Sequence, residues 1–195
     1  MTNEQTLQGE LTSAKKKSAK PMLWVSMISM VMFFAGLTSA YVISMKRDDW
    51  VSFDLPDAFF ISTVLIVASS ITLFLSQKFL KQNKRQLSLL LIVATLVLGI
   101  GFVWQQYVGF KQLESVGLYF TGDKSTVSTS FIIGITFMHV LHLLAGLIVL
   151  LVVIYNHFKY KYKSDDMLGF ELGAIFWHFV DILWIYLFFF FYFIR

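Results

Sequence analysis

Four side chains in this sequence have the types and spacing for chemistry inside an apolar environment: His139, His142, His178 and Asp181. Asp181 lies in Phe176-Trp177-His178-Phe179-Val180-Asp181-Ile182-Leu183-Trp184, inside an apolar run from about 172 to 194 that is long enough to cross a bilayer as a helix. An aspartate at mid-helix costs about 2.5–3.5 kcal/mol on insertion scales. The Leu, Ile, Val and Phe around it return about 0.3–0.6 kcal/mol each, so the helix inserts and Asp181 must face protein rather than lipid. His178 precedes it by three residues, on a neighbouring face of the same helix. His139 and His142 share one face of another apolar run with Gly146 four residues further on. Counting rises of 1.5 Å per residue, His142 and Asp181 lie at similar depths, which predicts a His–Asp contact between the two helices.

Such a cluster has four readings. One is a proton relay or tuned carboxylate, because ionisable groups within a membrane are functional candidates by default. Another is a polar clamp between helices, worth about 0.6 kcal/mol per contact. A third possibility is haem ligation by His142 and His178, which would make the chain a small membrane cytochrome b. A fourth is a proton-coupled carrier centred on Asp181. No convincing internal repeat is visible, which weighs against a carrier.

The chain has 195 residues, 57% of them hydrophobic and only 14% charged, with mean hydropathy +0.69. That is the composition of an integral membrane protein. The absence of cysteine excludes disulfides, thiolate metal sites and Cys nucleophiles. The net charge of +4 is spread over membrane flanks and gives no nucleic-acid surface.

The pattern predicts an all-α polytopic bundle of five transmembrane helices, at about 22–45, 58–76, 87–108, 131–155 and 172–194, forming one domain from 22 to 195. Residues 1–21 read as a flexible basic arm. The first span is far longer than a 7–15-residue signal core, so it reads as a retained helix despite the passable cleavage site at Thr38-Ser39-Ala40. Pro21 and Pro56 each stand just before an apolar run, where a helix start tolerates them.

Lys15, Lys16, Lys17 and Lys20, then Lys78, Lys81, Lys84 and Arg85, then Lys159, Lys161 and Lys163 put eleven cations on one side. Lys46, Arg47, Lys111, Lys124 and Arg195 put five on the other. The asymmetry predicts a cytoplasmic N-terminus and an outside C-terminus. Trp177 and Trp184 are seven apart beside Asp181, suited either to packing against other helices or to walling a lipid cleft. Gly36 and Gly146, with Ser62, Thr63, Ser69 and Ser70, are small enough to let helices approach closely. Gln105 and Gln106 fall near the outer end of the third span, where interfacial water is expected.

Several segments together resemble subunit III of the haem–copper oxidases, the cytochrome c and quinol oxidases. Phe33-Phe34-Ala35-Gly36-Leu37-Thr38-Ser39-Ala40-Tyr41 resembles the family's F-A-G-L-x-S-A-Y segment, and Ser62-Thr63 with Ala68-Ser69-Ser70-Ile71-Thr72 is similar to its S-T…A-S-S-x-T pattern. Gly99, Phe102 and Gln105 resemble its G-x-x-F-x-x-x-Q, with Gln105 one place short of the pattern's glutamine. The stretch from Thr136 to Gly146 is similar to G-F-H-x-L-H-V-x-x-G, and Glu171 to Trp184 resembles the closing E…W-H-F-V-D-x-x-W.

The resemblance implies a non-redox accessory subunit of a proton-pumping terminal oxidase, with haem and copper held by partner subunits. It implies contact with catalytic subunit I, with subunit II and further respiratory subunits as neighbours, and with phospholipid, in a bacterial cytoplasmic membrane. It also implies a role in stabilising the oxygen-reducing centre and in supporting proton uptake. Four histidines and no cysteine agree, since a catalytic subunit needs several haem and copper ligands and a two-copper entry site needs thiolates. Two departures stand out. Met30 occupies the place of a membrane-buried glutamate found in many members, and the chain resembles the five-helix form, without the two opening helices of seven-helix forms.

Overall fold

The computed structural model describes residues 3–48, 50, 55–115, 117, 126–162 and 167–194. Among them the secondary structure is five helices: α1 Asn3–Ser44, α2 Asp57–Lys81, α3 Arg85–Ser115, α4 Val127–Phe158 and α5 Leu168–Phe193. Each contains a stretch long and apolar enough to span a membrane. The shortest, α2, has 25 residues and so runs about 37 Å, more than a hydrocarbon core of about 30 Å.

All five helices extend beyond the apolar spans read from the sequence, α1 and α5 at their starts only and the other three at both ends. α1 is the extreme case: it begins at Asn3 and carries Pro21 inside it, rather than starting there. Glu, Gln, Leu, Ala and Lys dominate residues 4–20, and these are strong helix formers that continue a helix without an apolar face. The third connection is shorter than 110–130, because α3 runs to Ser115 and α4 starts at Val127; its stretch 118–125 lies outside the described residues. Asp49, Asp54, Lys124, Lys163 and Arg195 also lie outside them.

The α2–α3 connection explains why these two helices pack tightly. Asn83 adopts a left-handed φ of 61°, Asn83 N–H donates to the Leu80 carbonyl, and Lys84 N–H donates to that of Phe79. This is a Schellman ending with asparagine at its left-handed position, which reverses the chain in three residues. The buried positions of α3 then fall at 88, 92, 95, 99, 102, 106, 109 and 113, alternating steps of four and three. A period of 3.5 keeps one seam against a neighbour, as in left-handed helix bundles. α2 matches it with Ser62, Ser69 and Ser76, each fully buried and seven apart. Small residues allow the close approach: a Cβ on Gly109 would sit 2.5 Å from the Phe59 ring.

α5 is the most enclosed element, with Trp177, Val180, Trp184, Leu187 and Phe191 all at zero exposure. α1 leans on α4 and α5 through Phe34, Thr38 and Tyr41 and leaves most of its circumference outward. At its polar end Lys20 reaches Glu171 of α5 at 2.7 Å, with both side chains substantially exposed. An exposed pair of this kind contributes about 0–1 kcal/mol. Glu171→Gln is therefore expected to leave the unfolding midpoint of the purified protein within a few degrees of wild type, and a larger fall would show that this pair fixes α1 in place.

Candidate functional site

Along α2, hydroxyl side chains line the contact with α3 and α5. Gln106 Nε2 donates to Ser62 Oγ at 3.0 Å, and Ser76 Oγ donates to the Ser88 carbonyl at 2.8 Å. Thr72 and Thr95 join through their hydroxyls at 2.8 Å. Gln106 is thus buried inside the bundle instead of meeting interfacial water, because its amide has a serine to bond on the neighbouring helix.

The two tryptophans of α5 use the same helix. Trp177 Nε1 donates to Ser69 Oγ at 2.8 Å, and Trp184 Nε1 donates to Thr63 Oγ1 at 3.0 Å. Buried indoles need an acceptor, and two small hydroxyl residues supply one while leaving room for the rings. Neither ring reaches the outer surface, so neither walls a lipid cleft: both are at zero exposure. Gly99 and Gly146 make the slot for Trp177. A Cβ on Gly99 would lie 2.7 Å from Trp177 Cη2, and one on Gly146 would lie 3.1 Å from Cε3. Gly146 therefore sits at a helix contact, as its spacing suggested. Gly36 does not: a Cβ there meets nothing within 4 Å, because Gly36 lies on the outward side of α1.

Asp181 is 2% exposed and is met by Ser70 of α2, whose Oγ donates to Asp181 Oδ2 at 2.6 Å. The same Oγ lies 2.8 Å from His178 Nδ1. A hydroxyl has one proton, so donation to Asp181 leaves Ser70 to accept from the protonated Nδ1 of His178. The chain His178–Ser70–Asp181 thus runs from a partly exposed imidazole to a buried carboxylate, crossing from α5 to α2 and back. Asp181 Oδ1 has no partner among the described residues.

The expected contact between α4 and Asp181 does not form. His142 turns to α1, where its ring lies 5.5 Å from that of Phe34 and 6.5 Å from that of Phe33, and its Nδ1 bonds the Met138 carbonyl at 2.7 Å. His139 is fully buried among Phe34, Phe102 and Trp184, at ring distances of 5.2–6.4 Å, with neither nitrogen partnered among the described residues. Depth arithmetic places residues in height but not in azimuth, and α5 turns Asp181 toward α2 while α4 turns its histidines toward α1 and the aromatic centre. The predicted four-residue network is therefore two separate groups. His142 and His178 lie on different helix seams, bonded to different partners, which does not suit them to ligate one haem iron between them. Among the described residues no three His, Asp or Glu come together as a metal set.

Ser70 is the residue that sequence reading passed over as a ligand, being noted only for its size. The available signal was the pairing of two seven-residue spacings, Ser62/Ser69 and Thr63/Ser70 on α2 against Trp177/Trp184 on α5.

Comparison with known proteins gives one answer. The family model described as cytochrome c oxidase subunit III matches residues 1–195. Cytochrome c oxidase subunit 3 of Pyricularia grisea is 34% identical over 135 residues, 69% of this chain and 47% of that protein. The Pelomedusa subrufa protein of the same name is 25% identical over 201 residues, covering 96% of this chain and 74% of its own length. That of Bos taurus is 27% identical over 198 residues, 94% and 72%. The aligned part is thus about half of the fungal relative and about three quarters of the vertebrate ones. With five membrane-length helices and a match along its whole length, the chain belongs to the cytochrome c oxidase subunit III family.

Proposed function

We propose that this chain is the accessory, non-redox subunit of a proton-pumping terminal oxidase, in a bacterial cytoplasmic membrane with its basic end inside. In this reading it packs on the haem- and copper-bearing catalytic subunit, stabilises the oxygen-reducing centre during turnover, and supports proton uptake. The observation that carries it is the polar seam between α2 and α5. His178 lies ten residues into α5, about 15 Å along a helix of about 39 Å, and its ring is partly exposed at that depth. Hydrocarbon offers an imidazole no hydrogen-bond partner, so a surface with a polar group at mid-bilayer calls for another protein helix. The chain His178–Ser70–Asp181 gives that surface both a docking contact and a short path by which a proton could move between two titratable groups. The exposed apolar faces of α1 and α3, including Val25, Ile28, Val97 and Ile100, suit acyl chains.

The test is purification of the complex through a tag on this chain, followed by mass spectrometry of its companions and an absorption spectrum. Recovery of a haem-bearing catalytic subunit in equal amount is expected. A chain recovered alone and coloured, with a Soret band that His142→Ala and His178→Ala together abolish, would replace this reading with a cytochrome.

A further inference from the structure

In the core of the bundle, α2, α3 and α5 are joined by direct bonds between side chains. α4 brings two polar side chains to the same core, Thr136 and His139, both at zero exposure, and neither bonds another helix among the described residues. Of the nine buried serines and threonines described, Thr136 alone has a hydroxyl without a partner. Thr38, Thr63 and Thr95 each give the hydroxyl proton to a carbonyl four residues back. Thr136 makes no such bond to Ile132, so its proton is left for another acceptor.

A third group faces these two from α3. Gln106 is 1% exposed; its amide nitrogen holds Ser62, and its Oε1 has no partner among the described residues. Its placement follows from the contact of Phe102 with His139, whose ring centres are 5.9 Å apart. α3 and α4 are successive spans and therefore antiparallel. One turn outward from that contact stands Gln106 on α3 and Thr136 on α4. Counting from the outer ends agrees: Gln106 is nine residues before the end of α3 and Thr136 nine after the start of α4.

The hydrogen-bond needs of the three residues are complementary to one small molecule. Gln106 Oε1 only accepts, and a neutral imidazole has one N–H and one bare nitrogen. Phe34 and Phe102 lie edge-to-face with the His139 ring, at 68° and 76°, which suits an N–H directed at an aromatic face. The bare nitrogen and Oε1 then both need a donor, and Thr136 has one proton for the two of them. Water has two protons to give and lone pairs to accept with, and buried waters typically make about three bonds.

We infer that an ordered water molecule is bound between α3 and α4, donating to His139 and to Gln106 Oε1 and accepting from Thr136 Oγ1. It ties α4 to α3 and, through Gln106 and Ser62, to α2. The inference is independent of the partner assigned to His178.

The first test is the unfolding midpoint of the full chain in detergent. Thr136→Val keeps the shape of the side chain and removes the hydroxyl. If that hydroxyl holds a water, the midpoint falls, by about 2–4 °C for one ordinary hydrogen bond. A hydroxyl with nothing to bond is unfavourable where it stands, so a midpoint that rises in Thr136→Val would overturn the inference. Gln106→Leu combined with Thr136→Val should lower the midpoint by less than the two changes separately, because both remove the same water; strict additivity would count against it. The second test needs no variant: a structure of the wild-type complex at a resolution that shows ordered water. Density at about 2.7–3.2 Å from Gln106 Oε1, Thr136 Oγ1 and one His139 nitrogen is expected. Thr136 bonded instead to the Ile132 carbonyl, with no density beside it, would overturn the inference.

Discussion

Replacing Asp181 with alanine is expected to reduce, by roughly tenfold, the amount of this chain that stays with the oxidase through purification, and to shorten the active lifetime of what remains. The carboxylate is the acceptor that Ser70 donates to, and Ser70 in turn holds His178. Removing it leaves the Ser70 proton without its acceptor at mid-bilayer depth and loosens the hold on His178, and an unsatisfied group there costs about 1–3 kcal/mol. The damage falls on the seam between α2 and α5, at whose edge the partly exposed His178 is the group assigned to the partner. Insertion should survive, because the helix becomes more apolar. Asp181→Asn should be milder, since its side-chain carbonyl still accepts from Ser70. Subunit stoichiometry by mass spectrometry and activity over many turnovers check both variants. Full composition and full lifetime in Asp181→Ala would mean that the seam has no part in assembly or turnover.

The second large effect concerns Trp177. Trp177→Ala removes a fully enclosed ring and its bond to Ser69, and a Trp→Ala change at such a site costs about 3–5 kcal/mol. Its neighbour sharpens the prediction. Gly99→Ala alone drives a methyl to 2.7 Å from Cη2 of the indole, an overpacking cost of about 1–3 kcal/mol. Trp177→Phe deletes that distal carbon and the bond to Ser69. The pair Gly99→Ala with Trp177→Phe is therefore expected to be less destabilised than the sum of its single changes, because each relieves the other. Unfolding of the purified protein in denaturing detergent measures all four. Strict additivity would show that the glycine and the ring do not share this slot.

Much of this arrangement was legible in the sequence, for identifiable reasons. An apolar run of membrane length has only one regular way to satisfy its backbone, so five runs give five helices. An aspartate alone in such a run must face protein, and Asp181 does. The helix ends were less legible, because hydropathy reports where lipid stops and not where backbone hydrogen bonding stops; residues 3–20 are mostly polar and yet helical. The partner of Asp181 was not legible. Counting residues gave its height above the basic end, and His142 stood at a similar height, but the direction in which each side chain points around its helix depends on which helices are neighbours. Serine hides in such a reading, because in an apolar helix its hydroxyl can bond a carbonyl one turn back and needs no partner elsewhere. Ser26 and Ser29 do so on α1, whereas Ser70 reaches across to α5. Gly36 and Gly146 make the same point with glycine: the sequence offers both as contact points, and only Gly146 has a ring against it.

The dependence of Asp181 on Ser70 is best tested by a double-mutant cycle with Ser70→Ala, Asp181→Ala and the two together, read as denaturing-detergent stability of the purified protein. Because one hydrogen bond joins the two residues, the double variant should be little worse than Asp181→Ala alone, with a coupling of about 1 kcal/mol. Losses that simply add, with no coupling between the two positions, would contradict the claim that α2 meets this carboxylate and ties α5 to the bundle.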